Sequence, residues 1–204
     1  MAIDTYQIEV KASQFVQKER FDLAIIEYKK ILKHNPKNNR IRKTIGDLYL
    51  KTGQSKDAER YFLAVIEAYI KEGQYKAAIP LYRELIKIRE KDYEMHTEIA
   101  NCLLKSGFPT DALIHLKTAV NMIQRLKPEV AQELQMQVID LEPDNLSERR
   151  KLPELLESAN WTDKASDEWI RFAELNRRLE KDKESARALE QAFSLRDFWE
   201  TRVE

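Results

Sequence analysis

A small residue returns along this chain at two alternating spacings, and that recurrence restricts the fold more than any other feature. The stretch Phe21-Asp22-Leu23-Ala24-Ile25-Ile26-Glu27-Tyr28-Lys29-Lys30-Ile31-Leu32 lines up with Tyr75-Lys76-Ala77-Ala78-Ile79-Pro80-Leu81-Tyr82-Arg83-Glu84-Leu85-Ile86. An aromatic, a small residue three later, an aromatic four after that and an apolar residue after three more recur in register. The small residues are Ala24, Ala58, Ala78, Ala112, Ala131, Ala165 and Ala186, at separations of 34, 20, 34, 19, 34 and 21 residues. Self-similarity at such periods marks stacked supersecondary units, each unable to bury its apolar face alone.

A spacing of 34 fits a helical hairpin, and a gap of about 20 is one helix short of one. One helix then serves as the second of one hairpin and the first of the next. Residues 56–72 read both ways: Ala58 and Phe62 suit a second helix, and Phe62, Val65, Ile66 and Tyr69 a first. Adding neighbouring gaps gives a larger period of 54, 53 and 55 residues holding three helices, hence about eleven helices in roughly three and two-thirds units. Gly53, Gly73 and Gly107 stand five residues before Ala58, Ala78 and Ala112, with Asn160 at the same place before Ala165. Those residues tolerate the left-handed conformation that ends a helix. Pro36, Pro109, Pro128 and Pro143 mark helix boundaries. Pro80 falls inside helix 75–89 and is expected to bend it. Pro153 takes the place of a small packing residue. An interior proline costs about 3 kcal/mol, so helix 145–159 is expected to start near Leu152 with Pro153 in its first turn.

Three windows carry the fullest signature. Residues 39–72 hold Ile45-Gly46, Tyr49, Ala58, Phe62 and Val65. Residues 93–126 hold Ile99-Ala100, Leu103, Ala112, Leu116 and Ala119, and residues 5–38 hold Ala12, Phe15, Ala24, Tyr28, Ile31 and Pro36. The pattern resembles the tetratricopeptide repeat (TPR) family in a degenerate, bacterial-type form. The family's first-helix Trp is replaced by Ile8, Arg42 and His96. The resemblance implies an all-α fold: a TPR-like helical-hairpin solenoid, a right-handed superhelix of about eleven antiparallel helices. It is expected to form a single domain over 1–204, with repeat-like units near 5–38, 39–72, 75–91, 93–126, 129–144, 145–180 and 183–199. It also implies a protein–protein interaction scaffold or adaptor that binds a partner segment in a concave groove lined by first helices. Bacterial repeats of this type often serve in assembly or regulation of larger complexes. A self-associating structural module and a regulatory arm of a larger complex are the alternatives.

Composition agrees with a folded helical chain. Hydrophobic residues make up 43% and charged residues 34%, while four glycines and six prolines leave little room for the turns of an all-β fold. Cys102 stands alone, which excludes an intrachain disulfide and fits a reducing compartment. The start of the chain lacks a basic region followed by an apolar core, and the run from Phe62 to Ile70 is broken by Glu67 and too short for a bilayer. A cytoplasmic protein with no membrane partner is expected, and the glycosylation triplets at Asn145 and Asn160 are read as chance. Net charge runs +5 over residues 1–60, +2 over 61–128 and −7 over 129–204. No strongly basic face runs the length of the chain, so no nucleic acid is expected.

No phosphate loop, His-Glu-x-x-His, cysteine pair or nucleophile elbow occurs, so neither an enzyme, a cofactor nor a metal is expected. His34, His96 and His115 are read as lying in different repeats, with His96 at a packing position. Cys102 reads as a small buried apolar residue. Asp163, Asp167 and Glu168 have surface helical spacing, and Arg149-Arg150-Lys151 reads as a solvated basic cluster. Tyr61, Phe62, Tyr69, Tyr75 and Tyr82 follow the helix period of a core. Some TPR members clamp a C-terminal carboxylate with Lys, Asn and Arg on first helices. The matching positions here are Lys43 with Asp47 and Thr97 with Asn101; only Lys43 and Asn101 agree in kind, and Asp47 repels a carboxylate. What remains is a mixed row of Arg40, Lys43, Asp47, Lys51, Asn101 and Lys105, suited to an extended or helical peptide with some acidic character. Trp169 and Phe172 are assigned to the core. Phe198 and Trp199, with Phe193 nearby, are expected to fold back as a C-terminal cap; the alternative is an interface with a partner or a second copy. The chain is expected to be a monomer or a weak homodimer.

Overall fold

A computed structural model describes residues 5–200 of the chain, with side chains described as far as Arg196. Among these residues there are eleven α-helices and no strand: α1 (Thr5–Gln17), α2 (Phe21–His34), α3 (Asn39–Lys51), α4 (Ser55–Lys71), α5 (Tyr75–Ile88), α6 (Tyr93–Lys105), α7 (Pro109–Ile123), α8 (Pro128–Leu141), α9 (Leu146–Ser158), α10 (Thr162–Arg178) and α11 (Asp182–Glu200). The chain divides into two compact units, residues 1–95 and 96–204, the division falling in the first turn of α6. In the first unit α1 packs on α2, α2 on α3, α3 on α4 and α4 on α5. In the second, α7 packs on α8, α8 on α9, α9 on α10 and α10 on α11. The dual use expected of α4 is real, since it packs against the helices on either side of it.

Two kinds of turn make nine of the ten connections between the described helices, and the α7–α8 turn belongs to neither. Six helices end on a residue of positive φ: Glu19 at 54°, Gly53 at 74°, Gly73 at 69°, Gly107 at 81°, Asn160 at 59° and Glu180 at 57°. The next residue's N–H reaches back five residues, as from Gln54 to the Tyr49 carbonyl (2.9 Å) and from Lys181 to the Asn176 carbonyl (2.9 Å). This is a Schellman closure. That next residue is also the N-cap of the following helix: the Gln54 carbonyl accepts from Ala58 N–H at 3.1 Å, and the Lys181 carbonyl from Ser185 N–H at 2.9 Å. The chain thus reverses within three residues and delivers a packing residue five positions after the left-handed one. Glu19 and Glu180 hold that conformation against a steric preference of about 1–2 kcal/mol; their residue type does not mark them, although Glu19 stands five residues before Ala24 as Gly53 does before Ala58.

The second kind of turn is capped by a side chain. Asn38 accepts from Ile41 N–H at 3.1 Å, Asp92 from Glu94 N–H at 3.0 Å and Asn145 from Glu148 N–H at 3.2 Å. These caps satisfy donors left open at a helix start. They group the helices as α1–α2, α3–α5, α6–α8 and α9–α11, one two-helix unit followed by three of three helices.

Ala24, Ala58, Ala78, Ala112, Ala131 and Ala165 are all completely buried. Tyr28, Phe62, Tyr82, Leu116 and Trp169, four residues after five of them, are buried too, one turn along the same face. Two expectations need correction. In α11 the packing residue is Ser185, not Ala186: Ser185 is buried and Ala186 exposed. The Ser185 hydroxyl donates to the Ala173 carbonyl at 2.8 Å, so a polar side chain meets the requirement for small size, and the last spacing is 20. Helix α9 does not begin near Leu152. It starts at Leu146 under the Asn145 cap and runs through Pro153 to Ser158. Pro153 is buried with Leu152, Leu155 and Leu156, and that burial together with the cap offsets the one lost hydrogen bond. Pro80 likewise lies within a continuous α5.

Helices α3 and α4 meet in a close contact at a glycine. A Cβ placed on Gly46 would stand 2.5 Å from Phe62 Cε1 and 2.8 Å from Cδ1, and Phe62 is fully buried. Gly46→Ala is therefore expected to destabilise by about 1–3 kcal/mol despite the better helix propensity of alanine, read as a lower thermal midpoint. Ser185→Leu is expected to cost a similar amount, and Ala186→Leu to stay within about 0.5 kcal/mol. Equal effects at 185 and 186 would restore the original register.

Candidate functional site

The α3 part of the mixed row lies beside an equivalent face on α1. Tyr6, Glu9, Ser13 and Gln17 precede Arg40, Lys43, Asp47 and Lys51 by one 34-residue repeat. Arg40 Nη1 meets Glu9 Oε1 at 2.5 Å, so the α1 and α3 faces meet at this pair. The Arg40 hydrogen bond holds the Glu9 carboxyl below its ordinary value, and the Glu9 bond holds Arg40 above its own. Lys43 Nζ binds Asp47 Oδ2 at 2.8 Å, one turn along the same helix. Lys51 Nζ lies 5.3 Å from the centroid of the Phe21 ring. On α1, Tyr6 is 70% and Val10 36% exposed. They line an open cleft of about 580 Å³ with Glu9, Ser13, Gln14 and Gln17. The sequence reading missed Tyr6 and Val10, whose helical period a buried face would also produce.

Asn101 and Lys105 belong to the second unit, on α6, with Asn101 half-buried and Lys105 exposed. The row is therefore two sets, four residues on α3 and two on α6. The second unit has a groove of its own, about 440 Å³, among α9, α10 and α11. Trp169 and Phe172 pack edge-to-face at its floor with centroids 5.8 Å apart. Glu157 accepts from Trp169 Nε1 and from Gln191 Nε2, the latter at 3.1 Å. Trp169 is buried and Phe172 half-buried, as core residues should be. Phe193 is exposed on α11, and the side chains of Phe198 and Trp199 lie outside the described residues.

The remaining charged clusters are taken up by the fold. Arg149 Nε donates to the Pro143 carbonyl at 2.6 Å, Arg150 pairs with Glu154 at 2.7 Å and Lys151 with Glu148 at 2.9 Å. The basic triplet is held by acceptors of its own segment. Glu148 is buried: burial pushes its carboxyl up, but hydrogen bonds from Lys151, Gln135 and Lys117 hold it below its ordinary value. Glu27 is buried in the first unit, and hydrogen bonds from Lys30 and Lys11 lower it in the same way. Burial pushes the Cys102 thiol up to about 11, so it stays protonated. His96 and His115 are not in separate repeats. They face each other across the α6–α7 hairpin.

No described helix is long and apolar enough to cross a membrane. Two stretches match models of the tetratricopeptide repeat, residues 10–72 and residues 69–134, together more than half of the chain. A stretch of 103 residues is 33% identical to DnaJ homolog subfamily C member 3 of Gallus gallus, covering 50% of this chain. The chain spans only 20% of that protein's length. Among solved structures, the C-terminal part of a TPR repeat-containing protein from Cytophaga hutchinsonii is 15% identical, with a TM-score of 0.40, covering 95% of this chain and 84% of that one. MamA (41-end) from Desulfovibrio magneticus RS-1 is 13% identical, with a TM-score of 0.33, covering 97% of each chain. Scores this low leave the fold to rest on this chain's own helices and on the matched repeats.

Glu27 and Glu148 titrate below 4.5 in the folded chain. Their stabilisation is fully present above the unfolded value and is lost as pH falls through the folded one. Urea unfolding of the wild type and Glu148→Gln should therefore differ most near neutrality. The difference should shrink as pH falls below about 4.5.

Proposed function

Because the chain belongs to the tetratricopeptide repeat family, we propose that it is an adaptor whose α1–α3 face captures a segment of another protein. Repeats of this family are typically non-catalytic modules for protein interaction, and the chain is a protein-interaction scaffold in that general sense. The finer reading rests on one observation: exposed Tyr6 and Val10 stand beside the charged row of α3 through the Arg40–Glu9 pair. An aromatic and an aliphatic side chain one turn apart offer an apolar foothold. Arg40, Lys43 and Lys51 against Glu9 and Asp47 leave one positive charge in excess. That combination suits an extended or helical segment with apolar anchors and some acidic character. Asn101 and Lys105 on α6 are proposed as separate contacts in the second unit. The adaptor is proposed to act in the cytoplasm without catalysis, as a monomer or weak homodimer.

A photo-reactive phenylalanine analogue at position 6 is expected to cross-link a partner from cell extract, and the same group at Ile26, exposed on α2, is not. Tyr6→Ala combined with Lys51→Glu should lower recovery of that partner by about tenfold, the effect of losing a contact of about 1.4 kcal/mol. Cross-linking of equal yield and identity at both positions would remove the α1–α3 face from the proposal. Cross-links only to a second copy of the chain would replace the adaptor with a self-associating module.

A further inference from the structure

We propose that His96 and His115 form a two-imidazole site for a divalent transition-metal ion of the zinc, nickel or copper class. His96 Nδ1, in the first turn of α6, lies 3.1 Å from His115 Nδ1 in the middle of α7. The rings stand 5.3 Å apart at their centroids, inclined at 42°, and both are half-buried. Ile99, Ala100, Leu103, Ala112 and Leu116 are buried on the two helices, so packing, and not the imidazoles, fixes the separation.

With no metal, one ring must donate an Nδ1–H to the other's Nδ1 lone pair. Metal–imidazole bonds of about 2.0–2.1 Å place two nitrogens of a tetrahedral ion about 3.3 Å apart, so the rings need only separate slightly and tilt towards the ion. On binding, the shared proton moves by way of solvent to that ring's Nε2, both rings become Nε2–H tautomers, and the ion exchanges two waters for two Nδ1 lone pairs. No proton is released from a neutral pair. Among the described residues no group of three or more His, Cys, Asp or Glu could hold a metal, so the other coordination positions stay with water. Cys102, on the same helix, is buried with its thiol pushed up to about 11, and supplies no thiolate. The bound ion bridges α6 and α7 and stabilises their hairpin by mass action. Sequence spacing hid this site: the 19-residue separation is not a ligand spacing on one helix but becomes a contact when the hairpin closes.

The test uses the full chain with one equivalent of copper(II) sulfate, read by electron paramagnetic resonance, and with nickel(II) chloride, read by calorimetry and thermal unfolding. The expected result is a copper signal split by two nitrogens and a nickel-dependent rise in the unfolding midpoint. His96→Gln and His115→Gln should each weaken nickel binding by about tenfold or more, at least the loss that follows removal of a supporting outer-shell group. His34→Gln should leave binding unchanged. Circular dichroism checks that each variant is folded, and the copper spectrum of the unaltered chain decides the matter without any variant. One coupled nitrogen, or nickel binding indifferent to both glutamines, overturns the site.

Discussion

Close approach between helices at small residues is the constraint on which the rest of this structure depends. Gly46 against Phe62 shows it, with no space for even one added carbon. Ala12, Ala24, Ala58, Ala78, Ala100, Ala112, Ala131 and Ala165 repeat the requirement with no exposed surface at all. Neighbouring helices separated by about 8–10 Å bury long ridges of contact, and a larger side chain at any of these places would force them apart. The aromatic or aliphatic residue one turn later then fills the space the small residue opened. This pairing of a void-maker with a void-filler explains why the signature survives with so few fixed identities: size is conserved within the repeat, chemistry is not. Ser185 shows this directly, being polar, buried and satisfied by a backbone carbonyl.

A second set of interactions stitches helices across the turns. Lys117 reaches Glu142 at 2.7 Å and Glu148 at 3.3 Å, and Gln135 donates to the Glu148 carbonyl at 2.8 Å. These contacts tie α7, α8 and α9 where no left-handed residue closes the chain into a three-residue reversal. Gln135 occupies the place taken by an aromatic or aliphatic residue in α2, α4, α5 and α7. Burying Glu148 costs desolvation that its partners must offset, so the cluster contributes more to which helices pair than to stability.

The repeat was legible because it depends on volume, which a sequence states plainly. The glycine turns were legible for the same reason: absence of a Cβ is visible at Gly53, Gly73 and Gly107. Glu19 and Glu180 adopt the same φ with an ordinary side chain, held there by the Schellman bonds on either side, and nothing in their identity announces it. Pro153 misled because its backbone cost is fixed by chemistry, whereas its compensation, the Asn145 cap and burial among leucines, comes from the fold. Of the candidate face, the charged half on α3 could be read from its spacing. The apolar half on α1 could not, since Tyr6 and Val10 follow a helix period that a core would also produce; only exposure tells the two apart. The His96–His115 contact was likewise out of reach of any single-helix spacing rule.

The core fixes where the α1 and α3 faces lie but leaves their chemistry free, which is how one fold can serve many partners. On this chain the charges of that face are largely answered internally, Arg40 by Glu9 and Lys43 by Asp47. Ion pairs this exposed are each worth about 0–1 kcal/mol, so a partner's carboxylate can displace Glu9 or Asp47 at small cost. Such an exchange returns nearly as much as it takes, and net affinity cannot come from it. Under the proposed reading, affinity comes from water released at Tyr6 and Val10. The ion pairs decide which register of the partner is accepted, because a misplaced acidic residue would face Glu9 or Asp47, whose own cations are already engaged.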